Sequence, residues 1–271
     1  MIPDTEIIIA CYQKPDYLRL VLQTVAQQEW LPASICIADD GSGSAVQNVV
    51  EEFKDSHSQF PVRHVWQEDL GFRKNAILNQ AILSSEFQYL IFIDNDCLMH
   101  PGFIRRHVEL AKKHQFLTGS LIRLSSQVTR KLLTSGNVAW GDRRTLKGWR
   151  PRNYSEFLKS SPLNVKFMGV LDACSPVRTS WAGCNSSGFR DEILAVNGFD
   201  ETMGYGGGDK EFGVRLKNSG VKGRHVRYSA PIYHLDHERG YVDEEALRKN
   251  REKIKQARRE KRIWAKHGIE Q

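Results

Sequence analysis

Residues 89–96 read Tyr-Leu-Ile-Phe-Ile-Asp-Asn-Asp. Five apolar, mostly β-favouring residues run without a break and stop at two carboxylates separated by one residue. A short apolar run with no polar alternation fits a strand buried on both faces, central in a sheet covered by helices. Side chains alternate along a strand, so Asp94 and Asp96 are expected to point the same way off its end. Two acids aimed at one point repel unless a cation lies between them, and oxygen-preferring Mg²⁺ or Mn²⁺ suits such a pair. A polar turn that merely stops a strand carries the same residue types. The stretch alone leaves both open.

The chain before it alternates strand and helix. Residues 6–12, Glu-Ile-Ile-Ile-Ala-Cys-Tyr, read as a first strand. Lys14-Pro15 opens a helix with proline in its favoured first turn, and Leu18, Val21, Leu22 and Val25 give it a buried face. Residues 34–38 form a second strand ending in Asp39-Asp40-Gly41-Ser42, residues 44–54 a helix, 62–66 a third strand and 73–83 a helix. A further helix is expected over 101–114. Such alternation predicts βαβ units and a mainly parallel sheet, with ligands bound beyond the carboxyl ends of its strands. Tyr12-Gln13, Asp39-Asp40 and Asp94-Asn95-Asp96 all fall there. No Gly-x-Gly-x-x-Gly and no Gly-Lys-Ser/Thr loop accompanies them, which removes the main support for dinucleotide or P-loop binding. Arg73 and Lys74 start a helix, where the dipole disfavours cations, and so hint at an anionic ligand.

The second half is less regular. Residues 124–165 are polar and basic with scattered aromatics and no clear period, and read as a lid or acceptor-side loop. Ser180 to Ser187, including Trp181, reads as extended, followed by a short helix closed by Gly198. Gly204-Tyr205-Gly206-Gly207-Gly208-Asp209 then leads into a helix with Asp209 at its start, as an N-cap. Three consecutive glycines beside an aromatic are more than a cap needs, and suit a loop that a bulky ligand approaches closely. His234 and His237 flank Asp236 and raise the prospect of metal contact, although a lone histidine is more often structural.

The net charge of +7 is local: residues 248–266 carry ten Lys or Arg against two Glu. The remaining chain is about neutral, which argues against a nucleic-acid-binding face. The tail, 243–266, reads as a helix with Leu247, Ile254, Ala257 and Trp264 on a thin stripe. It is read first as solvated and packed along one edge, and second as a basic amphipathic surface for peripheral contact with anionic membrane. No apolar run approaches the roughly 20 residues that span a bilayer. The N-terminus lacks the basic and apolar regions of a secretory signal. Five scattered cysteines without a Cys-x-x-Cys pair are expected as reduced thiols in a cytoplasmic protein.

Taken together these motifs resemble those of the family 2 glycosyltransferases of GT-A fold. The N-terminal pieces are Ile8-Ile9-Ala10-Cys11-Tyr12-Gln13-Lys14, Ala38-Asp39-Asp40-Gly41-Ser42 and Phe92-Ile93-Asp94-Asn95-Asp96-Cys97. The C-terminal pieces are Ala182-Gly183-Cys184-Asn185, Val196-Asn197-Gly198-Phe199-Asp200-Glu201, Gly204 to Glu211 and Tyr233-His234. They look like bacterial chondroitin-polymerase-type members whose C-terminal half is similar to the C-terminal region of galactosyltransferases. The resemblance implies a Rossmann-like, mostly parallel sheet with an acceptor-side C-terminal lobe. It divides the chain into a nucleotide-sugar half (1–123), an acceptor-binding and catalytic half of the same domain (124–237) and a basic C-terminal helix (238–271).

The resemblance also implies an inverting, metal-dependent transfer of a sugar from a UDP-sugar to a glycan or lipid-linked acceptor. This would occur at the cytoplasmic face, in surface polysaccharide or lipopolysaccharide synthesis. Tyr12 would flank the uracil, Asp40 would accept from its N–H, and Arg73 would sit near the base or diphosphate. Asp94 and Asp96 would hold Mn²⁺ or Mg²⁺ with His234 as a further ligand, and Asn95 would line the donor site. Asp209 would be the general base, with Glu211 as fallback, and Tyr205, Gly207, Gly208 and Trp181 would meet the acceptor. Gly208 departs from the glutamate usual there, which points at sugar choice rather than catalysis. Two other classes share parts of this pattern. A sugar-nucleotide pyrophosphorylase would want a Gly-rich basic loop where Ala10-Cys11-Tyr12-Gln13 stands. A non-catalytic glycan-binding module would need no metal and would tolerate Asp209→Asn.

Overall fold

The computed structural model describes residues 3–142, 144–161, 165–238 and 244–270. Its strands are β1 (Thr5–Cys11), β2 (Ser34–Asp39), β3 (Val62–Trp66), β4 (Tyr89–Asp94), β5 (Cys97–Met99), β6 (Gln115–Thr118), β7 (Leu121–Arg123), β8 (Ser186–Phe189), β9 (Lys222–His225) and β10 (Ile232–His234). Its helices are α1 (Pro15–Ala26), α2 (Ser44–Ser56), α3 (Lys74–Leu83), α4 (Phe103–Glu109), α5 (Ser126–Ser135), α6 (Tyr154–Ser160), α7 (Val165–Ala173), α8 (Arg190–Leu194), α9 (Gly208–Asn218) and α10 (Glu244–Arg259).

One seven-stranded sheet runs β3-β2-β1-β4-β8-β6-β9. The first four strands are parallel, and β8 is antiparallel to both β4 and β6. The apolar strand β4 is therefore central, and residues Tyr89 to Ile93 are all buried. Its two faces meet different helices, as the strand period requires. Ile7 and Ile9 of β1 pack with the buried sides of α1 and α2, and Ile8 and Ala10 with α3, Trp181, Phe199 and Phe212. The two halves marked out in the sequence are interleaved in this one sheet, because β8 enters between β4 and β6.

Register sets the functional end. Ala10 of β1 lies opposite both Ala38 of β2 and Asp94 of β4, and Cys11 lies opposite Asp39. The three strands thus end at one level, with Tyr12, Asp40 and Asn95 just beyond. A second, three-stranded sheet, β5-β10-β7, follows directly from the Asp94-Asn95-Asp96 turn. Its antiparallel β5–β10 pairing places His234 opposite Cys97, and Leu235 N donates to Asp96 O at 2.8 Å. This small sheet carries a histidine from the far end of the chain to the acidic turn.

Several expectations change here. Residues 124–165 contain α5 and α6 and bury Leu132, Val138, Leu146 and Trp149 in the main core. Trp140 Nε1 donates to Gln27 Oε1 at 2.8 Å, and Trp149 packs edge-on against Tyr233. The segment is a packed wall rather than an irregular lid; its apolar residues are too far apart in sequence to form a visible period. The basic tail is a helix only as far as Arg259, with Trp264 beyond it and 45% exposed. Ile254 and Ala257 are buried against Met203 and Val214, so α10 packs on α9. Residue 243 of the expected tail helix lies outside the described residues. Among the described residues no helix is long and apolar enough to cross a membrane.

Candidate active site

A cavity of about 300 Å³ opens at the carboxyl ends of β1, β2 and β4. Tyr12, Asp40, Asp94, Asn95, Asp96 and Tyr205 line it, together with Lys14, Phe72 and Lys74. Its floor includes Ala10 and Ala38, whose small side chains leave room where the larger residues of the same face would fill it.

Asp40 is nearly buried and held from two sides. Gln67 Nε2 donates to Oδ1 at 2.5 Å and the Arg73 backbone N–H to Oδ2 at 2.8 Å. Burial pushes its carboxyl above the usual range against these two bonds. Each oxygen keeps a lone pair for a further donor. Asp39 is structural by contrast, accepting from Ser42 N and pairing with His64 Nε2 at 2.9 Å. Tyr12 is 49% exposed, with its hydroxyl donating to Asp69 Oδ2 at 3.1 Å.

Asn95 does more than line the cavity. Its Nδ2 donates to Gln13 O at 3.0 Å, and Ser42 Oγ accepts from Gln13 N at 2.7 Å. These bonds hold Gln13 and Lys14, consecutive non-glycine residues with φ of 54° and 56°. Backbone in that region is unfavourable without glycine and persists only where neighbours fix it.

The two acids of the turn share the cavity but not their partners. Strand β4 ends at Asp94, so strict alternation does not extend to Asp96. Lys74 Nζ lies 2.5 Å from Asp94 Oδ1. Burial alone would lower the Lys74 pKa, but Asp94 and Asp209 hold the ammonium well above its ordinary range. Asp96 instead faces two imidazoles, with His237 Nε2 2.9 Å from Oδ2 and His234 Nε2 3.6 Å from Oδ1. Burial opposes its ionisation, yet the His237 hydrogen bond and both histidines keep its pKa at about 2.

One oxygen or nitrogen from each of Asp96, His234 and His237 lies within 4.8 Å of the others, close enough to converge on one ion. Two imidazoles and one carboxylate suit a transition metal such as Mn²⁺ better than Mg²⁺, which prefers oxygen alone. Of the expected ligands Asp94, Asp96 and His234, Asp96 and His234 converge here together with His237, which the expected set did not include, while Asp94 is paired with Lys74. The three-residue spacing of His234 and His237 signalled this, and Lys74 was flagged by its place in a helix's first turn.

Asp209 lies in the first turn of α9, whose N-cap is Gly207, so it is not itself the cap. It is half-buried, and its charge acts on both Lys74 and Asp94. A Cβ on Gly183 would lie 2.5 Å from Asp209 Oδ1, so the glycine of the Ala-Gly-Cys-Asn motif makes room for this carboxylate. Tyr205 stacks edge-on against Phe72, with ring centres 5.7 Å apart.

The other expected residues fall elsewhere. Arg73 turns its side chain to Glu68 O at 2.9 Å, and serves Asp40 through its backbone. Trp181 is 1% exposed, packed among Phe92, Phe116, Phe199 and Phe212, and is core rather than an acceptor contact. Gly208 is buried where a Cβ would come within 2.7 Å of Asn75 Nδ2, so packing explains this glycine better than sugar choice does. Gly207 lies under α10 rather than open to an acceptor. Glu211 is 2% exposed and bound to Arg215 Nε at 2.9 Å, which removes it as a base.

The sequence profile of Glycosyl transferase family 2 matches residues 6–179, and that of the N-terminal domain of galactosyltransferase matches residues 172–238. Chondroitin synthase of Escherichia coli is 23% identical over 259 residues, covering 87% of this chain and 35% of that protein. The chain therefore spans about a third of that relative's length. Among solved structures, the mannosyltransferase PcManGT from Pyrobaculum calidifontis, in complex with GDP-Man and Mn²⁺, superposes with a TM-score of 0.60 at 15% identity. The match covers 89% of this chain and 59% of that one. Residues 1–349 of Staphylococcus aureus TarS, in complex with UDP, give a TM-score of 0.61 at 14% identity, covering 93% and 64%.

Proposed function

The chain belongs to Glycosyl transferase family 2, with the GT-A α/β fold of a nucleotide-sugar-dependent glycosyltransferase, and we propose that it transfers a sugar from a UDP-sugar with inversion. The acceptor is the hydroxyl of a glycan or lipid-linked saccharide in surface polysaccharide or lipopolysaccharide synthesis. The observation that supports this best is the single cavity in which Tyr12, Asp40, Asp94, Asn95, Asp96 and Tyr205 meet, with the Asp96–His234–His237 group beside it.

Tyr12 stacks on the uracil and Asp40 accepts from its N–H. Asp40 is ready for that bond, since Gln67 and the Arg73 backbone fix the carboxylate but leave lone pairs. Lys74 sits where the diphosphate would lie and supplies positive charge to it. Asp96, His234 and His237 would hold a divalent cation, Mn²⁺ in preference to Mg²⁺, with Asp94 paired to Lys74 beside them. When bound, the cation stabilises negative charge on the departing diphosphate. Asp209 takes the acceptor hydroxyl proton as the new C1–O bond forms and the C1–O bond to UDP breaks.

The test separates binding from chemistry. Asp209→Asn is expected to keep UDP affinity while transfer falls by about 10²–10⁴-fold. UDP release from a panel of UDP-sugars with Mn²⁺, and UDP calorimetry on both proteins, measure the two. Loss of UDP affinity in the variant contradicts the base role. Undiminished transfer contradicts it as well.

A further inference from the structure

A loop with glycines at 206, 207 and 208 has no intrinsic reason to keep Tyr205 and Asp209 in one place. Gly206 and Gly207 adopt φ of 86° and 120°. What fixes them comes from α10, which lies beyond both family matches. Asn250 is 4% exposed. Its Nδ2 lies 2.9 Å from Gly206 O, 3.2 Å from Tyr205 O and 3.4 Å from Gly204 O. Leu247 and Ile254 occupy the space on either side of it. A Cβ on Gly206 would strike Leu247 Cδ2, and one on Gly207 would lie 3.2 Å from Ile254 Cδ1 and 3.4 Å from Asn250 Cβ. Lys253 Nζ holds the preceding turn at Thr202 O and Oγ1, at 3.0 and 2.7 Å. The far end of α10 is tied to α9 separately, through Asn218 Nδ2 to Ala257 O and Arg262 O at 3.1 and 2.8 Å.

We propose that Asn250 is a positioning residue, and that α10 is a built-in latch fixing the loop from Gly204 to Gly208, hence Tyr205 at the cavity and Asp209 at the start of α9. This deepens the transferase reading and rests on it for the role of Asp209. The side-chain amide is suited to the task because it offers two N–H donors to a run of carbonyls that glycine leaves unscreened. A buried carboxylate at the same position would repel those carbonyls.

The experiment compares Asn250→Leu, Asn250→Asp and the milder Leu247→Ala with Asn218→Ala, which loosens α10 at its other end. Hydrogen exchange over residues 203–210, kcat, UDP affinity and Tm are measured on the full chain. Both Asn250 variants and Leu247→Ala are expected to exchange faster in that loop. The Asn250 variants should lose about 10- to 100-fold in kcat, the scale expected for catalytic groups displaced by about 1 Å. UDP affinity should stay within about twofold, because the groups assigned to the nucleotide and its cation follow β1, β2, β4 and β10 or start α3, outside the Gly204–Gly208 loop. Asn218→Ala should lower Tm while keeping kcat. Unchanged loop exchange in the Asn250 and Leu247 variants overturns the latch whatever the activity. Equal kcat loss in Asn218→Ala at matched Tm overturns it too, as a mere stability effect. If loop exchange rises but Asp209→Asn transfers normally, the latch stands and the base assignment fails.

Discussion

Alanine at position 183 would add one carbon against the carboxylate assigned as base. The new Cβ would lie 2.5 Å from Asp209 Oδ1 and 2.9 Å from both Cγ and Oδ2. Ordinary C···O contacts are about 3.3 Å, so the nearer oxygen must retreat by roughly 0.8 Å. The backbone is not the obstacle, because Gly183 has no left-handed φ. Asp209 is half-buried and can swing away, so the stability loss should fall at the low end of overpacking, about 1 kcal/mol or 2–4 °C in Tm. Displacement of a reacting group by about 1 Å reduces turnover about 100-fold. Gly183→Ala is therefore expected to lower kcat about 100-fold with UDP affinity unchanged and a small Tm shift. Steady-state UDP release with acceptor, UDP calorimetry and a thermal melt measure the three. A kcat within about threefold of wild type rules out Asp209 as a base held in place beside Gly183, since the clash leaves no room for the original carboxylate position. A parallel loss of UDP affinity refutes it differently, by showing that Gly183 serves the donor.

Two further perturbations probe other parts of the site and core. Lys74→Met removes the ammonium beside Asp94 and should weaken UDP binding about tenfold to hundredfold, the range of a charge-assisted hydrogen bond; unchanged affinity by calorimetry excludes Lys74 as a diphosphate contact. His107 is fully buried between Ser187 Oγ at 2.7 Å and Asn185 Oδ1 at 3.2 Å, and burial lowers its pKa to about 3. The unfolded chain takes up a proton near 6.5 that the folded state refuses, so this contribution is present above about pH 6.5 and is lost as pH falls toward 3. Wild type should lose about 2 kcal/mol more than His107→Asn between pH 7 and pH 5 in urea denaturation, and equal losses exclude this residue as the source.

Much of this was legible in the sequence where one local pattern decided the outcome. Bounded apolar runs marked β1, β2 and β4, and the polar residues after each run became the cavity wall. Proline at the first turn of α1 and the helical spacing after it had the same local character. Assignments failed where burial depends on distant partners. Trp181 stands among polar and small residues in sequence, and only the convergence of Phe92, Phe116, Phe199 and Phe212 makes it core. Arg73 and Lys74 could not be told apart by type; the backbone of the first and the side chain of the second reach the site. The spacing of His234 and His237 raised metal contact, but the β5–β10 pairing that brings them to Asp96 is announced by no local pattern. The glycine loop was read as one that a bulky ligand approaches, and the neighbours its glycines meet in the structure are Asn75, Met203 and residues of α10.

On the proposed reading, the acidic turn and the two histidines hold the donor diphosphate through a divalent ion. Calorimetric titration of UDP with and without Mn²⁺, in wild type and in Asp96→Ala, tests it most directly. Asp96 is the one carboxylate of the His234–His237 group, and its removal leaves two imidazoles alone. Mn²⁺ is expected to tighten UDP binding in wild type and to have no effect in Asp96→Ala. The same Mn²⁺-dependent gain in both proteins would contradict it.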